Sequence, residues 1–265
     1  MTRHLTLLLT LSLLWLPAAH SFEARAHIAI CELAYQQVKE ETRHWLQQTS
    51  AASPKKRFSS GCSWPDEVRR QAEYEHTGGW HYVNVPEQAQ HVSAQDCPAD
   101  GCIMTAVPQM ERRLISNPDD WQALLFLSHF IGDLHQPMHV SFAGDRGGNR
   151  SALRFQGENT NLHRLWDGQL LGRYVIKQYL ADWQHTLTTE QIRQWQRGDI
   201  QQWADESLAL THRIYRRYQQ SASAGEDYRQ TFAPLLQQRM QAAGIRLAGI
   251  LDKIYEQRTK SPATP

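Results

Sequence analysis

The residues able to do chemistry crowd into one stretch, Ser128-His129-Phe130-Ile131-Gly132-Asp133-Leu134-His135-Gln136-Pro137-Met138-His139. Three histidines and one aspartate fall within eleven positions. His129 and Asp133 are four apart, so on a helix they share a face and aim an imidazole and a carboxylate at one spot. Pro137 has no N–H for the carbonyl of Asp133, so the helix kinks or ends there. His139 lies past the break and can turn back toward the same spot. Burying an imidazole and a carboxylate among apolar side chains is costly unless something pairs with them. A metal ion is the simplest partner. Hydrogen-bonded histidines at a polar helix end are the plainer alternative.

A second pair repeats the spacing. In Asn161-Leu162-His163-Arg164-Leu165-Trp166-Asp167, His163 and Asp167 are again four apart, with Asn161 placed to cap the helix. One such pair is common on helices; two, each beside apolar helix, favour a metal. Three further residues join as candidates. His27 sits on the first turn of a helix, where a lone histidine is more often a surface residue. Asp66 follows Pro65 in Trp64-Pro65-Asp66, an opening turn where an acid also complements the helix dipole. His81 is flanked by Trp80 and Tyr82, which would fix its ring and exclude water.

These residues must be positioned by helices. Trp121 to Leu127 is apolar almost all round and reads as a buried helix, with a start at Asn117-Pro118-Asp119. Ile28 to Gln48 has helical spacing in Ile30, Leu33, Ala34 and Val38. Residues 50–61 read as loop, Gly79 to Pro86 as a short extended piece, and residues 87–108 as loop. Gly144-Asp145-Arg146-Gly147-Gly148-Asn149 is a glycine-rich turn, and Leu153 to Gly157 a short strand or hairpin arm. The remainder is helical: Ile200 to Gln219 offers Trp203, Leu208, Leu210, Ile214 and Tyr218 to a core. Tyr228 to Tyr255 offers Leu236, Met240 and Ile254, with an interruption expected at Pro234. Trp203-Ala204-Asp205-Glu206-Ser207 reads as structural.

Residues 1–21 have the pattern of a signal peptide: Arg3, the apolar run Leu5 to Leu16, then Ala19 and Ser21 before a cut. Cleavage would leave Phe22 first. That run is too short for a transmembrane helix, and no other candidate span follows. The expected product is secreted or periplasmic, without stable membrane association. The domains expected are 1–21 as signal peptide, 22–258 as one catalytic domain and 259–265 as a disordered tail. The chain carries 28 Lys+Arg and 27 Asp+Glu. A near-neutral balance lacks the basic face of duplex-DNA binders. No repeat, phosphate-binding loop or dinucleotide fingerprint is present, and no protein partner is implied. Four cysteines suit an oxidising compartment. Cys97 and Cys102 flank a short turn that a disulfide could close, leaving Cys31 and Cys62. Three connectivities are possible, and this is the most local.

The ordered motifs resemble the zinc-dependent, single-strand-preferring nucleases of the S1/P1 type. The resemblance covers Phe22 to about Tyr255. It rests on Phe22 with His27, Trp64-Pro65-Asp66, Trp80-His81, the His129–His139 stretch, Gly147-Gly148-Asn149, and Asn161 to Asp167. It implies an all-α, single-domain fold shared with a zinc phospholipase C, with a small hairpin, and three zinc ions. Asp66, His81, His129 and Asp133 would hold one ion; His139, His163 and Asp167 another; His27, Asp133 and the amino nitrogen and carbonyl oxygen of Phe22 the third. His135 falls outside the ligand set. Arg69 matches an arginine near the phosphate, Asn149 a substrate-facing asparagine, and Tyr82 an aromatic that stacks on a base. Two positions depart from the pattern. Phe22 stands for the usual tryptophan, and Asn84 for an aspartate that contacts the attacking water and the base.

The implied activity is hydrolysis of phosphodiester bonds in single-stranded DNA and RNA, with removal of 3′-phosphates from nucleotides as a second activity. A zinc phospholipase C with the same ligands is the alternative enzyme. An exported helical protein with purely structural zinc is the non-catalytic one.

Overall fold

The computed structural model describes residues 24–172 and 176–260. The signal-like segment, Phe22 and the last five residues lie outside the described residues. The chain forms α1 (Ala24–Gln37), α2 (Glu40–Ala51), α3 (Phe58–Gly61) and α4 (Trp64–Val68). A 3₁₀ segment (Glu75–His81) follows, then strand β1 (Val83–Val85), α5 (Ile103–Ser116) and α6 (Trp121–Leu134). A 3₁₀ turn (Pro137–His139) leads into β2 (Val140–Phe142), the hairpin β3 (Ala152–Phe155) and β4 (Glu158–Asn161), and α7 (Leu162–Asp167). The rest is α8 (Ile176–Thr186), α9 (Thr189–Trp195), α10 (Ile200–Gln220), β5 (Ser223–Ala224) and α11 (Glu226–Lys260). The fold is all-α with a few short strands.

Helices α1, α2, α4, α5, α10 and α11 pack against α6. Every residue from Ala123 to Leu134 is buried, as an apolar run without a polar face requires. Its cap is Asp120, which accepts from the Ala123 N–H at 2.9 Å. His135 ends it and Pro137 opens the next turn. Helix α1 lies against α11, α3 and α6. The Cys31–Cys62 disulfide ties α1 to the residue after α3, and Cys97–Cys102 closes the turn before α5.

Several elements differ from the sequence expectation. The helix expected over Ile28 to Gln48 is two helices, because the Lys39 N–H donates to Asp252 Oδ1 of α11 at 3.1 Å instead of continuing the ladder. The stretch 50–61, expected as loop, contains α3, held by the burial of Phe58. Only Val83–Val85 of the extended piece is strand, and His81 ends a 3₁₀ segment. The loop expected over 87–108 gives way to α5 at Ile103. There Cys102 and Thr105 satisfy each other's backbone N–H groups, and Pro108 is carried inside the helix. Likewise α11 is continuous through Pro234 and extends to Lys260, into the expected tail. Pro234 and Gln230 are exposed, so water reaches the carbonyl that the proline leaves without its helical donor.

Candidate metal centre

Two strand pairings bring the site together. Strands β1 and β2 run parallel with Val83 opposite Val140, which sets His81 beside His139. Hairpin β3–β4 leads directly into α7, whose cap Asn161 accepts from the Arg164 N–H at 2.8 Å and starts the turn carrying His163. At the other side, α1 comes close enough for His27 to meet α6 at Gly132. A Cβ there would stand 2.7 Å from His27 Nδ1.

Asp133 is the centre. It is fully buried. Its Oδ2 lies 2.9 Å from His81 Nδ1 and 3.1 Å from His129 Nε2. Asp66 Oδ1 closes the group at 3.7 Å from His81 Nδ1 and 3.6 Å from His129 Nε2. The other oxygen, Oδ1, lies 3.3 Å from His27 Nε2. The His27 and His129 rings stack with centroids 3.7 Å apart. In the third group, Asp167 Oδ1 is 3.5 Å from His139 Nε2 and Oδ2 is 3.4 Å from His163 Nε2. Three sets of side chains therefore converge: His27, His129 and Asp133; Asp66, His81 and His129; His139, His163 and Asp167.

The backbone fixes which nitrogens face inward. His129 Nδ1 donates to the Cys62 carbonyl at 2.7 Å, His139 Nδ1 to the His81 carbonyl at 2.8 Å, and His163 Nδ1 to the Gly147 carbonyl at 2.8 Å. A carbonyl only accepts, so Nδ1 carries the proton and the neutral ring turns a lone pair at Nε2 toward a carboxylate. Lone pair against carboxylate is repulsive without a cation between them. Asp66 Oδ1, His81 Nε2, Asp133 Oδ1 and His139 Nε2 are buried without a hydrogen bond among the described residues. With no metal bound, a proton on the inward nitrogen is the cation that answers this repulsion. Burial lowers the His129 imidazole, but Asp133 and Asp66 outweigh it and raise it to about 10. Burial lowers His139 too, and Asp133 and Asp167 raise it to about 9. Burial pushes Asp133 up, yet His129 and His139 hold it well below the usual carboxylate range. His27 and His81, dominated by burial, are lowered.

Gly147 is set by the same geometry. Its φ is +64°, and a Cβ there would stand 2.7 Å from the Met138 carbonyl. Asp145 accepts from the Gly148 N–H at 3.0 Å and from the Tyr215 hydroxyl at 2.6 Å, so the glycine-rich turn that orients His163 is itself held.

A cleft of about 330 Å³ opens over His81, His139, His163 and Asp167. Arg69, Tyr82, Asn84 and Asn149 line it, all sequence candidates. The Arg69 guanidinium is 3.4 Å from Asp66 Oδ1. Tyr82 is 42% exposed, unusual for so large a ring. The Asn149 amide donates to the Arg146 carbonyl of its own turn at 2.9 Å. His135 turns away: Nδ1 donates to the Ile131 carbonyl at 2.7 Å, and Nε2 accepts from Arg246 at 2.9 Å.

Sequence reasoning gave no role to Gln136, which is buried and donates to Asp167 Oδ1 at 2.7 Å. The available signal was a buried amide beside the proline in the histidine run. Arg146 and Arg164 also line the cleft and went unassigned, and Asn161, read only as a helix cap, lines it too.

Residues 23–256 match the family profile described as S1/P1 Nuclease. Similar proteins include Endonuclease 3 and Endonuclease 4 of Arabidopsis thaliana, 29% identical over 262 residues and 30% over 266. Each alignment spans 88% of this chain and 89% of the relative. Nuclease P1 of Penicillium citrinum is 26% identical over 263 residues, 88% of this chain and 97% of the relative. The fold and the clustered ligands are those of a metal-dependent hydrolase, and the chain belongs to the S1/P1 nuclease family. It is a nuclease that hydrolyses phosphodiester bonds, and the phospholipase C reading is not favoured. Among the described residues no helix is long and apolar enough to cross a membrane.

Proposed function

We propose that this nuclease is an exported, zinc-dependent endonuclease for single-stranded DNA and RNA, able also to remove 3′-phosphates from nucleotides. The observation that carries the reading is the convergence of three histidine–aspartate groups beside a cleft lined by Arg69, Tyr82 and Asn149. Mixed imidazole and carboxylate donors suit zinc better than calcium or magnesium. Four ligands at about 2.0–2.1 Å around one ion stand about 3.4 Å apart. The separations here among His81, His129, Asp66 and Asp133 run from 2.9 to 3.7 Å. Three groups correspond to three ions, the third completed by the amino nitrogen and carbonyl of Phe22, which lies outside the described residues. Zinc bound there supplies Lewis acidity and makes water a nucleophile near neutral pH.

The chain's own residues do the rest. Asp133 offers one oxygen to the His81–His129 group and the other to His27, so a single carboxylate ties two positions together. Gln136 holds Asp167 by donating to one of its oxygens. Arg69 presents a guanidinium at the cleft for a phosphate oxygen. Tyr82 offers a ring face to a base, worth about 1–3 kcal/mol by stacking. A paired base within a duplex has no free face, which gives the single-strand preference. Asn84 can hydrogen-bond a base or a phosphate but cannot take a proton from water, so catalysis here proceeds without a carboxylate at that position.

Elemental analysis tests this reading together with an extension variant. The cleaved enzyme should hold three zinc ions per chain. A version with two extra residues ahead of Phe22 should hold fewer and turn over more slowly, because an amide nitrogen is a poor ligand. Active enzyme without zinc would sink the proposal. Equal zinc content in both versions would remove Phe22 from the ligand set.

A further inference from the structure

A second cavity, of about 480 Å³, lies between α9, α10 and α11 and shares no lining residue with the metal cleft. Its charged side chains are Arg197, Arg239, Arg246 and Glu206. Three cations against one anion leave a surplus of two positive charges. Glu206 does not use up the arginines. Arg246 gives Nε to the Trp195 carbonyl, Nη1 to His135 Nε2 and Glu206 Oε2, and Nη2 to Glu206 Oε1. That is four of five N–H groups. Arg239 binds the His135 and Trp203 carbonyls, the Ser207 hydroxyl and Glu206, again four of five. The exposed Arg197 guanidinium makes no hydrogen bond or ion pair among the described residues, and the Gln238 amide at the wall makes none either.

Two of these arginines are fixed rather than free. The Arg246 side chain is 4% exposed and Arg239 11%, and their partners come from α6, α9 and α10. A guanidinium held this way loses little entropy when a ligand arrives. Planar forks with an N–H left over, beside a third arginine, match a tetrahedral oxyanion that accepts through several oxygens. We propose that this cavity is a binding site for a phosphate dianion, either inorganic phosphate or the phosphate of a mononucleotide. Arg239 and Arg246 both rest on His135, at the end of the helix that carries Asp133, so the cavity is separate from the metal cleft and joined to its helix through these two arginines. The inference does not depend on the proposed substrate preference.

The test is calorimetric titration of the zinc-loaded cleaved enzyme, beginning at Phe22, with inorganic phosphate at low ionic strength. Metal centres also bind phosphate, so two classes of site are expected, and the metal-centre class serves as an internal control. Arg197→Gln should weaken one class by about tenfold or more and leave the other in place, and Arg197→Lys should restore part of it. Gln238→Glu, on an exposed helix position, should give the same loss by placing a carboxylate against the dianion. A single class in the parent enzyme would overturn the proposal, as would two classes unchanged in both variants. Titration with a 5′-mononucleotide and with the corresponding nucleoside separates the sources. A nucleotide bound about tenfold tighter than phosphate means the nucleoside is read as well, and equal affinity means phosphate alone. Occupancy of this class by the nucleoside without its phosphate would overturn the assignment.

Discussion

Asp133 shows how far one buried carboxylate can be shared. Its two oxygens lie within 3.3 Å of His27, His81, His129 and His139. Asp133→Asn keeps the shape and removes the charge, so it should lower turnover by more than the about 10–100-fold typical of residues that only orient a ligand. His135→Ala, two positions away, should stay within that range. Its cost should appear instead as about 1–3 kcal/mol of stability, because Arg246 loses an acceptor in a buried place. Steady-state kinetics with a melting curve for each variant separates the two, and equal kinetic losses would contradict the ligand assignment. Gly132 is the spatial counterpart. Gly132→Ala would press a methyl group toward His27 Nδ1, where the space is 2.7 Å. The expected result is about 1–3 kcal/mol of destabilisation with reduced metal content, read by thermal unfolding and elemental analysis. Full metal content and an unchanged melting temperature would show that α1 gives way freely.

Elements aim these residues through contacts that cross the sequence. The Cys31–Cys62 bond closes a loop of 31 residues, worth about 3–4 kcal/mol by chain entropy, and it also holds the carbonyl that orients His129. On the far side of α6, Glu206 joins α10 to α11 through Arg239 and Arg246. Burial opposes its charge, but the Arg246 and Arg239 contacts win and its carboxyl is held below the usual 4.5. A lowered carboxyl contributes stability that is complete above the unfolded value and lost as pH falls through the folded one. The melting-temperature gap between the parent and Glu206→Gln should therefore shrink between about pH 5 and pH 3. A gap constant across that window would contradict it.

The two His-x-x-x-Asp pairs, the buried α6 and the structural reading of Glu206 and Ser207 were legible because each depends on spacing within one helix or on local composition. The break at Lys39 was not, since its cause is Asp252, 213 residues away. Helix α5 was hidden by Pro108 and by a cap in which a cysteine takes the place of the usual serine or aspartate. Gln136 was in view, but its partner Asp167 is 31 residues on.

At the scale of the whole molecule, a mostly helical frame brings together three groups of histidines and aspartates that could hold metal, from α1, α4, α6, α7 and the 3₁₀ segments beside them. Bound cations would offset the charge that these carboxylates bring together inside the protein, which would couple binding to folding. The proposed activity is cleavage of unpaired nucleic acid that depends on bound metal. The most direct measurement uses the purified enzyme, before and after chelator treatment and zinc restoration, on single-stranded and double-stranded DNA of the same sequence. The expected result is cleavage of the single strand well ahead of the duplex, lost with chelator and recovered with zinc. Undiminished cleavage in chelator, or none on either strand form with full zinc occupancy, would contradict it.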